Sequence, residues 1–250
     1  MGTKKIGHIF LAELGKKRLR PGGIKATSWL LEQVQFTKET KVLEVACNMG
    51  TTLIELAKNH PCSIIGVDID QEAVAKAQAA IEKEQLQERV TVQTGNALKL
   101  PFADNTFDIV INEAMLTMLD DHAKAKALAE YHRVLKPGGH LLTHDISLPE
   151  GQEAEKEALS KTIKTRVSPL SVTNWQKHYQ TTGFAKVDYQ VGPMSLMSPS
   201  GMLRDEGVTG TFTIVKNGLK AKNRTQFLEM FRYFRKQQKV MRYIVHCATK

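Results

Sequence analysis

Apolar runs and amphipathic stretches alternate along this chain in a way that spells strand, helix, strand, repeatedly. Residues 5–15 read as a short amphipathic helix, with Ile6, Phe10 and Leu14 at i, i+4 and i+8. A basic turn over 16–23 separates it from a helix over 25–36. Strands are expected at 41–46, 63–68, 89–94, 107–112 and 140–145. The helices between them fall at 51–60, from the N-cap Asp70 to about Leu86, and at 121–136, where Pro137-Gly138-Gly139 ends the last one. Repetition of this unit predicts an α/β fold with a doubly wound parallel sheet. Helices over 150–165 and 171–182 then precede a strand at 185–191, in which Ala185, Val187, Tyr189 and Val191 alternate, and a last strand over 243–248. Between those two strands lies a segment, 193–240, far longer than a hairpin needs, and such loops are functional or disordered.

The first strand-helix-strand unit carries the most chemistry. Asp68 closes the second strand 20 residues after Asn48 of the first loop, the spacing at which a carboxylate can grip a ribose. The loop has Ala46, Asn48 and Gly50 where a dinucleotide fingerprint requires three glycines, and the chain has no Gly-Lys-Ser/Thr of a phosphate loop. Glu44, beside the loop, would repel a phosphate and attract a cation. Residues 41–120 hold 6 Lys/Arg against 12 Asp/Glu, inside a chain of net charge +9. An acidic cradle suits a positively charged nucleoside, and S-adenosylmethionine is one.

Four segments in order, Glu44-Val-Ala-Cys-Asn-Met-Gly-Thr51, Gly66-Val-Asp-Ile-Asp70, Thr94-Gly-Asn-Ala-Leu-Lys-Leu-Pro-Phe-Ala-Asp-Asn-Thr-Phe-Asp-Ile-Val110 and Arg133-Val-Leu-Lys-Pro-Gly-Gly139, resemble the class I S-adenosylmethionine-dependent methyltransferases. Within them the chain looks like the ubiquinone/menaquinone C-methyltransferase branch, over roughly residues 20–147. The resemblance implies a Rossmann-like seven-stranded sheet, mostly parallel, with an antiparallel C-terminal strand and helices on both faces; it fades beyond residue 147, and the length of 193–240 adds a helical insertion before the last strand. It implies S-adenosylmethionine as cofactor and S-adenosylhomocysteine as product. Glu44, the backbone of Ala46, Cys47, Asn48 and Gly50, and Thr51 would hold the methionine part. Asp68 would take the ribose hydroxyls, Ile69 would pack on the adenine, Asn96 and Ala97 would border its amino edge, and Asn112 would adjoin the site. Pro21-Gly22-Gly23-Ile24-Lys25-Ala26-Thr27 resembles a segment that folds over the cofactor, which brings in Gly23 and Thr27. Ala46 and Asn48 replace two family glycines, and asparagine tolerates positive φ better than other side chains. Asn96 replaces an aspartate, and its amide oxygen can still accept a hydrogen bond.

At 250 residues and 42% hydrophobic content, a single domain with embellishments is expected: an N-terminal helical cap over 1–36, a cofactor-binding core over 37–147 and a helical lid over 193–240. Cys47, Cys62 and Cys247 form no paired framework, which suits a reducing cytoplasm and gives no metal site. No apolar run reaches a membrane span, Glu13 and Gly15 interrupt any signal-peptide core, and Ile6 stands where myristoylation at Met1-Gly2 needs Ser or Thr. Monomer and homodimer are both open.

Both ends are basic, with 8 Lys/Arg against 3 Asp/Glu over 1–40 and 11 against 3 over 201–250. The acceptor is expected to be a small molecule, with an anionic one among the choices, under a lid of Met194, Met197, Met202, Phe227, Phe231 and Phe234. The same six side chains could equally just pack the insertion onto the sheet. RNA or protein methylation through the basic ends, and a non-catalytic binding role, stay open as alternatives, although no D/N-P-P-Y/F motif follows the fourth strand, which ends Ile111-Asn-Glu-Ala-Met115. A base is needed only if the acceptor must lose a proton. Glu113, His144 and Asp145, at strand tips, are the candidates, while Thr117 occupies the position where the family places a histidine.

Overall fold

The computed structural model describes residues 5–250, and the Met1-Gly2 dipeptide lies outside them. Seven strands form one sheet: β1 (Lys41–Val45), β2 (Ser63–Asp68), β3 (Val90–Thr94), β4 (Phe107–Glu113), β5 (Leu135–Ser147), β6 (Lys186–Pro193) and β7 (Arg242–Thr249). Their order is β3-β2-β1-β4-β5-β7-β6. The first five strands are parallel, and β7 runs antiparallel to both β5 and β6.

Alternation along the strands splits their side chains between two cores. Leu43, Val45, Val110 and Leu141 meet Leu128, Tyr131, Trp175 and Tyr179 from α5 (Asp121–Val134) and α7 (Val172–Thr182). Val42, Ile109, Ile111 and Leu142 face the other way, onto Ala26 and Leu30 of α2 (Gly23–Glu32) and Leu53 and Leu56 of α3 (Thr51–Asn59). Each fully buried aliphatic side chain is worth about 1.5–3 kcal/mol relative to exposure, so this two-sided burial holds the sheet's tips in register. Asp70 caps α4 (Gln71–Lys83), its Oδ1 accepting from the Glu72 and Ala73 amides.

Two local expectations are corrected. The fifth helix stops at Val134, and β5 begins at once, taking Pro137-Gly138-Gly139 into the strand. Gly138 adopts φ 76°, which lets its N–H reach the Lys250 carbonyl at 3.0 Å, while the Lys250 N–H reaches Gly139 O at 3.0 Å. The chain end thereby pairs the run that sequence alone assigned to a turn. In α1 (Gly7–Glu13) the inward face is Gly7, Phe10 and Leu11, with Leu14 following, and Ile6 is exposed. Gly7 sits there because a Cβ would come within 2.8 Å of Ile163.

A third core forms the cap. The 193–240 segment folds as α8 (Pro199–Gly218) and α9 (Arg224–Gln237), which pack with α1 and α6 (Glu153–Ile163) around Phe10, Leu14, Leu159, Ile214, Met230 and Phe234. Gly207, at φ 70° and ψ −179°, breaks α8 just after Asp205 and Glu206. Those two carboxylates grip the basic turn: Glu206 accepts from Lys16 Nζ and from the Lys17 and Arg18 amides, and Asp205 Oδ1 accepts from the Ile24 amide. The insertion and the described N-terminal residues therefore pack together as one helical unit, the cap.

Candidate functional site

The loop after β1 winds through left-handed backbone at Ala46 (φ 60°), Asn48 (φ 48°) and Gly50 (φ 75°). For the two non-glycine residues this conformation costs about 1–2 kcal/mol each. Asp68 offsets part of it, since its Oδ2 accepts from the Asn48 N–H at 2.8 Å and its Oδ1 from the Asp70 N–H at 3.0 Å. One carboxylate thus ties the first loop to the end of β2. The Cys47 amide donates to Val67 O, and Thr51 opens α3, whose first amides face the loop. Beside Asp68, Ile69 holds its side chain in solvent, 71% exposed. Asn96 spends its Oδ1 on the Leu98 amide at 2.9 Å, and Ala97 packs at the core's edge. Asn112, fully buried at the end of β4 beside Val45, donates to Val45 O at 2.8 Å, and its Oδ1 has no partner.

Under the same surface lies a polar network that the sequence reading did not anticipate. Arg20, buried despite its place in a basic turn, donates to Thr27 Oγ1 at 2.9 Å and to Thr52 Oγ1, and lies 3.3 Å from Glu113 Oε1. Glu113 Oε2 accepts from Thr27 Oγ1 at 2.6 Å and meets His144 Nδ1 at 3.0 Å. His144 Nε2 accepts the Gly22 N–H at 2.9 Å, so Nδ1 carries the proton and donates to Glu113. Burial lowers the His144 pKa, in keeping with that neutral tautomer. Glu113 is also desolvated, which raises its pKa, but Arg20, His144 and Thr27 together hold it near 2. With both nitrogens engaged, His144 has no lone pair for an acceptor. Glu44, neighbour to this network, goes the opposite way: burial, opposed by Arg20 and reinforced by Glu113, pushes it up to about 8, and its Oε2 has no partner. Gly23, at φ 60°, lies so close to Asp205 that a Cβ would strike the carboxylate.

On the other side of Glu113 a cavity of about 90 Å³ opens between the cap and the tips of β4 and β5. Leu11, Leu159, Met194, Met230 and Phe234 supply its cap wall, while Ala114, Thr117, Met118 and Ile146 supply its floor. Met197, Met202 and Phe227 are buried in the cap's own core, and Phe231 is only partly buried, so of the six lid residues only Met194 and Phe234 line the cavity. Thr117 is held hard: its N–H and Oγ1 both donate to Asp145 Oδ1 at 2.8 Å, and Oγ1 accepts from the Ile146 N–H at 3.1 Å. Asp145 itself lies behind that residue, its Oδ2 buried without a partner, and burial raises its pKa to about 7 against the Thr117 hydrogen bonds.

Comparison with known proteins fits this arrangement. A family model described as a methyltransferase domain matches residues 42–139. An uncharacterized protein of Haemophilus influenzae is 53% identical over 251 residues, all of both chains. The demethylmenaquinone methyltransferase of Lactiplantibacillus plantarum is 38% identical over 122 residues, 48% of this chain and 51% of that one. The chain belongs to the class I S-adenosylmethionine-dependent methyltransferases. Named curated relatives of this family are matched over about half of their own length. A solved structure of Haemonchus contortus phosphoethanolamine N-methyltransferase 2 in complex with S-adenosyl-L-methionine superposes with a TM-score of 0.76 at 19% identity, over 97% of this chain and 56% of that one, a likeness of fold.

S-adenosylmethionine is the cofactor of this family, and the residues present fit it. The orphaned Oε2 of Glu44 is a buried acceptor awaiting a cation, Asp68 keeps lone pairs for a diol, and Ile69 offers an apolar surface beside them. Sequence reasoning singled out this loop and Asp68 from their spacing, and the structure joins the two through the Asn48 N–H. It missed Arg20, whose only signal was a basic residue preceding Pro21-Gly22-Gly23, and it noted Thr117 only as a lost histidine.

Proposed function

We propose that this methyltransferase acts on a small molecule bound in the cavity between the cap and the tips of β4 and β5. The supporting observation is the cavity itself: it adjoins the Glu113 network, the cap covers it, and among the described residues it is lined mainly by apolar side chains with no Lys or Arg. A covered apolar chamber suits a small acceptor better than a strand of RNA or a protein surface. The anionic acceptor considered from the basic ends finds no cation in that lining. Much of the N-terminal charge is instead spent inside the molecule, Lys16 on Glu206 and Arg20 on Glu113.

In this reading Asp68 takes the ribose hydroxyls and Ile69 covers the adenine, with Asn96 and Ala97 at its edge. Glu44 takes the ammonium, while Arg20 and the first amides of α3 at Thr51 face the carboxylate. Gly23 and Thr27 close over the methionine part, with residues 5–36 and 193–240 acting together as the lid of one domain. When bound, the cofactor supplies a methyl group already activated for displacement, so alignment of the acceptor provides most of the acceleration. A cytoplasmic setting fits three cysteines that are all free.

The test is to supply methyl-labelled S-adenosylmethionine to the purified protein with a cell extract and to separate the products. Label in the small, solvent-extractable fraction supports the reading; label in acid-precipitable RNA or protein overturns it.

A further inference from the structure

His8 is the one imidazole that turns toward the cavity. It stands on α1, beside Leu11, and lines the chamber opposite Thr117 and Ala114. Its Nδ1 is buried and has no hydrogen-bond partner. His144 is locked between Gly22 and Glu113, and His246 is fully buried behind the sheet beside Tyr179. The charged group that acts on His8 is Asp68, at the tip of β2 on the cofactor side. One ring therefore lines the acceptor chamber while lying within electrostatic reach of the carboxylate assigned to the ribose. Of the ionisable groups on the elements around it, Lys5 pairs with Glu13, Lys16 with Glu206 and Lys156 of α6 with Glu153, while Glu155 of α6 keeps a buried Oε2 without a partner.

We propose that His8 stands at the junction of the cofactor and acceptor sites and takes the proton of a largely apolar acceptor that bears a hydroxyl, thiol or amine. As the acceptor's new bond to the methyl carbon forms, the methyl-sulfur bond breaks and its electron pair stays on sulfur. The acceptor's hydrogen leaves as a proton to the lone pair of His8 Nδ1, and the imidazolium later returns it to solvent. Burial lowers the His8 pKa more than Asp68 raises it, which favours the neutral ring, and in its Nε2–H tautomer the Nδ1 lone pair is free to take the proton. With a base on the cap, no base is required at the Thr117 position: the proton acceptor comes from above the chamber rather than from its floor. The floor has a lesser task, since Thr117 Oγ1, already donating to Asp145, keeps a lone pair with which to steer the same hydrogen.

This inference rests on the cofactor assignment above, and the experiment separates the two. The imidazole resonances are titrated by NMR in complexes with S-adenosylhomocysteine and with S-adenosylmethionine, and His8 is identified by the signal lost in His8→Gln. The two ligands differ by one methyl and one positive charge. A ring facing the transferred methyl should show a pKa lower by about one unit in the S-adenosylmethionine complex, as expected for a unit charge several ångströms away. Equal titration in both complexes overturns the placement of His8 while leaving the cofactor reading intact; failure of either ligand to bind overturns both. Proton transfer is read on the labelled fraction from the extract experiment. His8→Gln should bind S-adenosylmethionine as the parent does, yet lower kcat at least tenfold and abolish the acid limb of its pH profile. An unchanged pH profile in His8→Gln overturns the role as base.

Discussion

At the ends of β1 and β2 the chain leaves Asp68 partly exposed and Ile69 in solvent, whereas at the ends of β4 and β5 it buries the side chains of Glu113, His144 and Asp145 beneath the cap. The first region is made by backbone: positive φ at Ala46, Asn48 and Gly50, and one carboxylate that accepts two nearby amides. The second is made by side chains that meet across long stretches of sequence, with Arg20 and Gly22 brought in from the N-terminus. An open, locally built half can receive a ligand shared by a whole family. A closed half assembled from distant pieces can be reshaped to suit one acceptor.

That contrast is most sharply tested at Glu113. Its replacement by Ala leaves Arg20 buried without a counter-charge and the His144 Nδ1–H without an acceptor, and should cost about 3–5 kcal/mol in a denaturant titration. A cost below 1 kcal/mol, in line with an exposed ion pair, would erase the difference between the halves. Asp68→Ala should act on the ligand instead. Loss of charge-assisted bonds worth about 1.5–3 kcal/mol predicts roughly 10- to 100-fold weaker S-adenosylmethionine binding by isothermal titration, with a far smaller loss of stability than Glu113→Ala.

Thr117→Val removes the hydroxyl that donates to Asp145 and accepts from the Ile146 N–H, both bonds buried. The Thr117 amide remains, so a stability loss of about 1–2 kcal/mol with unchanged cofactor affinity is expected; a cofactor defect would show that the halves are not separable at this loop. The mildest effect is a proton. Glu44, raised from the usual 4.5 to about 8, is largely protonated at pH 7, and a cationic ligand should ionise it. Titrations in buffers of different ionisation enthalpy should therefore show release of most of one proton, and affinity should rise with pH up to about 8. The ligand-free protein should lose stability over the same window, because the unfolded carboxyl ionises above about 4.5 while the folded one resists until about 8.

The sheet was legible because its strands are near-continuous apolar runs and its helices carry local caps such as Asp70. The cofactor half was legible because Asp68 and the β1 loop are tied by a fixed 20-residue spacing. What escaped depends on pairing between distant segments. Nothing local in Lys16 or Arg20 says that they are buried, since their partners are Glu206 and Glu113. Pro137-Gly138-Gly139 read as a stop because its backbone is completed only by Lys250. Likewise a histidine near the start of the chain gains meaning only once α6 and α9 have closed a chamber around it.

The hydrogen bond from Gly22 to His144 spans 122 residues of sequence. During synthesis from the N-terminus, the segment destined to cover the cofactor is made early, but the imidazole that receives its amide arrives with β5, and Asp205 and Glu206, which hold its flank, later still. The first strands can pair as they emerge, while this strap must wait for nearly the whole chain.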